Sequence, residues 1–175
     1  MKLPRSLKAR ALQWLAQREH SRVELRRKLL PHAVADDEVA ATSGAPPAEF
    51  APAARVEAVL DWLEAHGYMS QERFVESRVH ARSARYGNLR IRQELKQHQV
   101  ALPADAAQAL KGSELQRARA VRERKFAQWP ATAAERARQA RFLAGRGFSP
   151  EVIARALRRS ARDDDEASAT DTTPG

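Results

Sequence analysis

The sequence predicts an all-α chain built from three groups of three helices in tandem. Three observations predict it. Ala, Arg, Leu and Glu dominate the 175 residues and β-branched residues are few, a composition that favours helix over sheet. Apolar residues recur at the spacing of a buried helix face, in stretches opened by Ser, Thr, Asn or Pro and closed near Gly or Pro. Finally, the openings at Ser6, Ser70 and Ser113 lie at matching intervals: the second is 43 residues and the first 64, or 42 once a 22-residue insertion is left out. Equal intervals of this size mark a repeat architecture.

Ser6 is placed to cap a first helix to about Gln17, with Leu7, Ala11, Trp14 and Leu15 at core-facing spacing. Ser21 and Glu24 have the spacing of a capping box for the second. Residues 33–54, AVADDEVAATSGAPPAEFAPAA, are rich in Ala and Pro, carry only acidic charge, and read as a flexible insertion. A third helix resumes near Pro52, with Val56, Val59, Leu60 and Leu63 on one face. It stops at Gly67, which suits a left-handed C-terminal cap followed by the apolar Tyr68.

Ser70 opens the fourth helix, which carries Phe74 and ends before Gly87. Asn88 caps the fifth, aligning Ile91, Leu95 and His98. Pro103 starts a short sixth ending near Gly112, and Ser113 with Gln116 caps a seventh that ends by Trp129 and Pro130. Thr132 with Glu135 caps the eighth, which stops at Gly147 and Phe148. Ser149 and Pro150 start the ninth, with Ile153 and Leu157 inward. The domains expected are therefore 1–69, 70–112 and 113–162, followed by a disordered acidic tail at 163–175. Each group is small for an independent core, so neighbours are expected to pack end to end.

Charge points to an anionic partner. The net charge is +9, and the last thirteen residues hold five acids (Asp163, Asp164, Asp165, Glu166 and Asp171) with no Lys or Arg. Without those acids, residues 1–162 stand at +14. A body this basic suits nucleic acid or an acidic protein face. The phrases SRVELRRKL at 21–29 and RIRQELKQHQV from residue 90 each contain Arg-x-Glu-Leu followed by a base, so a similar basic helix is written twice.

Other function classes find no support. There is no cysteine, which excludes thiolate chemistry and fits a reducing cytoplasm. No apolar run approaches a membrane span, and the basic N-terminus reads as a structural helix rather than a presequence. The five histidines (His20, His32, His66, His80 and His98) have no i,i+4 pairing, and the acidic runs at 36–38 and 163–166 read as solvated charge, so no metal or other cofactor is expected. Glu19-His20-Ser21 looks catalytic on paper, but capping explains Ser21 and nothing supplies an oxyanion hole. No phosphate-cradling Gly-rich loop or Gly-x-Ser-x-Gly is present. The chain reads as a binding protein, not an enzyme.

Three segments, in order and spacing, carry a resemblance: LAQREHSRVELRRKL, then LEAHGYMSQERFVESRVHARSARYGNLRIRQELKQHQV, then RQARFLAGRGFSPEVIARAL. The chain resembles RecX, the bacterial regulatory family of the recombinase RecA, over most of residues 7–160. The most specific matches are Gly67-Tyr68, Arg73-Phe74, Gly87, Arg90-Ile91 and Glu94-Leu95. Arg141-Phe142-Leu143, Arg146-Gly147-Phe148 and Ile153 follow. The insertion at 33–54, the acidic tail and His98, where Lys is more usual, depart from the family pattern.

The resemblance implies an elongated, curved array of three-helix repeats without catalytic residues. It also implies binding to RecA, as monomer and as nucleoprotein filament, with restraint of ATP hydrolysis and strand exchange. Contact to recombinase or DNA phosphate is expected at Arg22, Arg26 and Arg27, at Arg90, Arg92 and Lys96, and at Arg141, Arg146, Arg155, Arg158 and Arg159. The protein itself is expected to be a monomer. The alternative is a free-standing nucleic-acid-binding protein whose helix-turn-helix pair is FLAGRGFSPEVIARALRRSARD, with Arg155, Arg158 and Arg159 toward phosphate. Base-reading Asn and Gln are scarce there, which argues against sequence specificity.

Overall fold

A computed structural model describes residues 6–46 and 48–158. Among the described residues the chain forms eight helices and no strand: α1 Leu7–Leu15, α2 Arg22–Ser43, α3 Pro52–Ala65, α4 Gln71–Ser83, α5 Asn88–Gln97, α6 Ala104–Lys125, α7 Ala133–Gly145 and α8 Pro150–Ala156. No helix among them is long and apolar enough to cross a membrane. The chain divides into two compact units, Met1–Arg78 with Leu95–Ala101, and Val79–Glu94 with Leu102–Gly175.

In the first unit, Leu7 and Ala11 of α1, Leu25, Leu29 and Ala33 of α2, and Val56, Leu60 and Leu63 of α3 close on one core with Met69. The i,i+4 rows that produce this stripe are those of the sequence. Ser6 and Ser21 accept the capping amides of Ala9 and Glu24. The Ser21 box is only half made, because the Glu24 carboxylate is taken by Arg18 instead of returning to the cap. Gly67, at φ +70°, ends α3 as expected: the amides of Tyr68 and Met69 both reach the carbonyl of Leu63. The histidine beside Ser21 is buried and structural, its Nδ1 lying 2.9 Å from the Arg18 carbonyl. Burial lowers the pKa of His20 despite that hydrogen bond and the nearby Glu24.

The expected flexible insertion at 33–54 is corrected in its first half. Residues 33–43 continue α2, which runs through Pro31 and stops only at Gly44, at φ +70°. Ala and acidic side chains carry no signal that breaks a helix, and the first residue able to take the left-handed cap is Gly44. Arg55 holds the extension to α3 by donating to the carbonyl of Ala33 at 2.8 Å and pairing with Asp37.

In the second unit, Ala118 and Val121 of α6, Leu143 of α7, and Phe148, Ile153, Ala156 and Leu157 around α8 form the core. Thr132 and Glu135 make the full reciprocal capping box of α7, and Ser149 caps α8 ahead of Pro150. The sixth and seventh helices of the sequence reading are a single helix, α6. Its buried residues Leu110, Glu114, Ala118 and Val121 form one stripe across the expected break, so packing holds Gly112 in helix. Ser113 is not a cap; its hydroxyl donates back to the carbonyl of Ala109 at 3.0 Å.

Candidate interaction site

The joint between α4 and α5 in the second unit gathers cations around one aromatic ring. Helix α4 ends on a set of carbonyls that its own turns leave open. Arg117 of α6 donates to the carbonyls of Ser83 at 3.2 Å and Tyr86 at 2.8 Å, and Arg124 donates to that of Ala84 at 2.6 Å. Two guanidiniums at the negative end of a helix dipole are favourably placed. They also fix the position of Tyr86.

The next residues lock this joint to the turn between α7 and α8. The Gly87 amide donates to the carbonyl of Arg146 at 3.0 Å, and the Leu89 amide to that of Gly147 at 3.1 Å. Asn88 is the first residue of α5, and its side chain serves tertiary contacts, where a cap was expected. Its backbone amide and Nδ2 each donate to the buried Glu114 carboxylate at 2.9 Å, while Oδ1 accepts from Arg117. Burial lowers the Arg117 pKa, opposed by the field of Glu114.

On this frame the guanidiniums of Arg82, Arg90 and Arg146 lie 5.7, 5.8 and 5.6 Å from the centre of the Tyr86 ring. Arg146 also lies 5.2 Å from the Phe142 ring. Arg82 is paired with Glu94 at 2.9 Å, so the cluster carries a net positive charge. Guanidinium forks match carboxylate and phosphate oxygens in bidentate geometry, and their planes stack on aromatic faces. The arrangement suits an anionic partner surface.

Of the residues the sequence proposed, the structure brings Arg90 and Arg146 together here. Arg92, Lys96, Arg27, Arg141, Arg155 and Arg158 are exposed, and none forms an ion pair among the described residues. Arg159 and the tail at 163–175 lie outside the described residues. Arg22 and Arg26 have partners within their own unit. Arg22 reaches Glu57 at 2.7 Å, Asp61 at 2.6 Å and Glu64 at 2.7 Å, while Arg26 pairs with Glu57. Partial burial opposes the Arg22 charge, but the hydrogen bonds to Asp61 and Glu57 outweigh it and raise its pKa. Three carboxylates face these two arginines, so this face of α2 offers little free positive charge.

Sequence reasoning missed Tyr86 and Arg82. Arg146 lies sixty positions after Tyr86, and no local signal in the sequence marks that Gly87 and Gly147 meet.

Known proteins match this architecture. Three family models cover the chain in tandem: the first three-helix domain of RecX at residues 8–42, the second at 70–110 and the third at 113–157. Regulatory protein RecX of Ralstonia nicotianae is 49% identical over 162 residues, covering 90% of this chain and 91% of the relative. The protein of the same name from Leptothrix cholodnii is 48% identical over 162 residues, covering 91% and 92%. That from Herbaspirillum seropedicae is 46% identical over 167 residues, covering 94% and 97%. With three tandem domain matches and this identity along nearly its whole length, the chain belongs to the RecX family of regulatory proteins.

Proposed function

We propose that this chain docks on the RecA recombinase and its nucleoprotein filament and restrains ATP hydrolysis, filament extension and strand exchange. Binding, not catalysis, does the work. Family membership and the resemblance of the sequence motifs support the partner. The observation that carries the reading is the Arg82, Arg90 and Arg146 cluster around Tyr86, a rigidly backed cationic surface suited to carboxylates or phosphates. Repeated three-helix domains suit a repeating filament, because linked weak contacts to successive protomers raise the overall affinity.

A second reading, a nucleic-acid-binding protein acting without the recombinase, draws on exposed Arg155 and Arg158 at α8. The deciding experiment measures ATP hydrolysis by the host recombinase on single-stranded DNA with and without this protein, alongside binding to DNA-free recombinase. Substoichiometric slowing is expected, since few molecules suffice to block filament ends. Unchanged hydrolysis despite binding to DNA leaves the second reading in its place.

A further inference from the structure

Helix α2 carries its core-facing residues, Glu24, Leu25, Leu29 and Ala33, in its first half, and from Val34 to Ser43 no residue is buried. A helical stretch this short has little intrinsic stability without a packed face. Exposed apolar side chains concentrate here nonetheless. Leu30, Val34 and Phe50 are three of the six exposed large hydrophobic residues among those described, with Phe50 at 59% exposure, while Val39 lies on the opposite side of α2. At 100° per residue, Leu30, Val34 and Ala41 fall within about 40° of one another on the helix. Ala41, Ala45, Ala48 and Phe50 continue that surface around an open groove of about 460 Å³.

The charge of the same region is the reverse of the rest of the chain. Between Lys28 and Arg55 the sequence has no Lys or Arg, and it has Asp36, Asp37, Glu38 and Glu49. Arg55 takes Asp37. The other three form no ion pair among the described residues. An acid-flanked apolar strip repels nucleic acid and anionic membranes. It is also small beside the roughly 800 Å² per partner of a stable protein dimer.

We infer that the face from Leu30 to Phe50 is a docking surface for a basic amphipathic helix of a partner protein. Apolar residues of that helix, spaced i,i+4, lie along Leu30, Val34 and the Phe50 groove, and its flanking Lys and Arg meet Glu38 and Glu49. The inference stands independently of the recombinase reading, because it uses none of the Tyr86 cluster.

The test uses the full-length protein and a fluorescent Leu/Lys amphipathic peptide of about 18 residues, five helical turns, followed by anisotropy at low salt. A Leu/Glu peptide of the same pattern is the control. The Leu/Lys peptide is expected to bind and the Leu/Glu peptide to fail. Val34→Asp with Phe50→Ser, and separately Glu38→Lys with Glu49→Lys, should each weaken binding by about tenfold or more, while Arg90→Ala leaves it unchanged. If the first pair perturbs helicity by circular dichroism, the charge-reversal pair, confined to exposed side chains, decides. Wild-type affinity in the charge-reversal protein, or equal binding of the Leu/Glu peptide, overturns the inference. Self-association abolished by Val34→Asp overturns it as well, in favour of a second copy as occupant.

Discussion

Gly87 donates its backbone amide to the carbonyl of Arg146 at 3.0 Å, and a β-carbon on Gly87 would overlap the Gly147 carbonyl oxygen and the Phe148 amide. The obstacle is backbone, which a rotamer change cannot relieve. Gly87→Ala should therefore destabilise the second unit by about 3 kcal/mol. Gly112, in the middle of α6, has open space where its β-carbon would be. Gly112→Ala should stabilise by about 0.5–1 kcal/mol through the unfolded chain and helix propensity. Urea unfolding of the two variants checks both signs. Equal effects would mean that the interlock between the two joints contributes nothing.

The core and surface roles of α5 separate by substitution. Leu95 is buried and Leu95→Ala should cost about 2–5 kcal/mol by leaving a cavity. Changing Arg90, Arg92 and Lys96 together to Glu should leave the melting temperature near wild type, since a carboxylate at 90 would lie beside Arg82 and Arg146. Partner binding should fall. If the three side chains neutralise phosphates, the slope of log affinity against log salt drops by about 2–3. If they face the recombinase, that slope holds while inhibition falls. Binding of both partners as before would make these bases a solvated face.

Acid should weaken the first unit through Glu57. The hydrogen bond from Arg26, opposed by partial burial and reinforced by Arg22, holds the Glu57 carboxyl at about 2, against an ordinary value of 4.5. A folded-state pKa below the unfolded one stabilises fully above pH 4.5 and is lost as pH falls toward 2. Stability should fall across that window, and Glu57→Gln should flatten the fall. Because Glu57 is partly exposed, the effect at neutral pH should be no more than about 1 kcal/mol. Thermal melts at stepped pH read it directly. An unchanged acid limb in the variant would rule out Glu57 as its source.

Deleting residues 163–175 should strengthen DNA binding at low salt. Five acids there compete with phosphate for a basic body, and salt should erase the difference between full-length and truncated protein. Equal affinities at low salt would leave the segment without that role.

Local information determined most of the helices. Apolar rows such as Leu25, Leu29 and Ala33, or Val56, Leu60 and Leu63, announce a buried face through a spacing that the chain carries wherever it packs. Caps at Ser6, Ser21, Thr132 and Ser149, and the left-handed stop at Gly67, depend on groups within a few residues, so sequence alone places them. Tertiary structure decided what distance along the chain conceals. It kept α6 continuous through Gly112, because Leu110, Glu114, Ala118 and Val121 are buried along one side of the helix on both sides of that residue. It committed Arg22 to the acids of α3, a pairing that two side chains 35 residues apart cannot announce. It also brought Arg146 to Tyr86 by seating the Gly87 amide on the Arg146 carbonyl. A basic residue in sequence is only a charge. Whether it is neutralised within the fold or presented to a partner depends on which carboxylate, ring or carbonyl the folded backbone sets beside it.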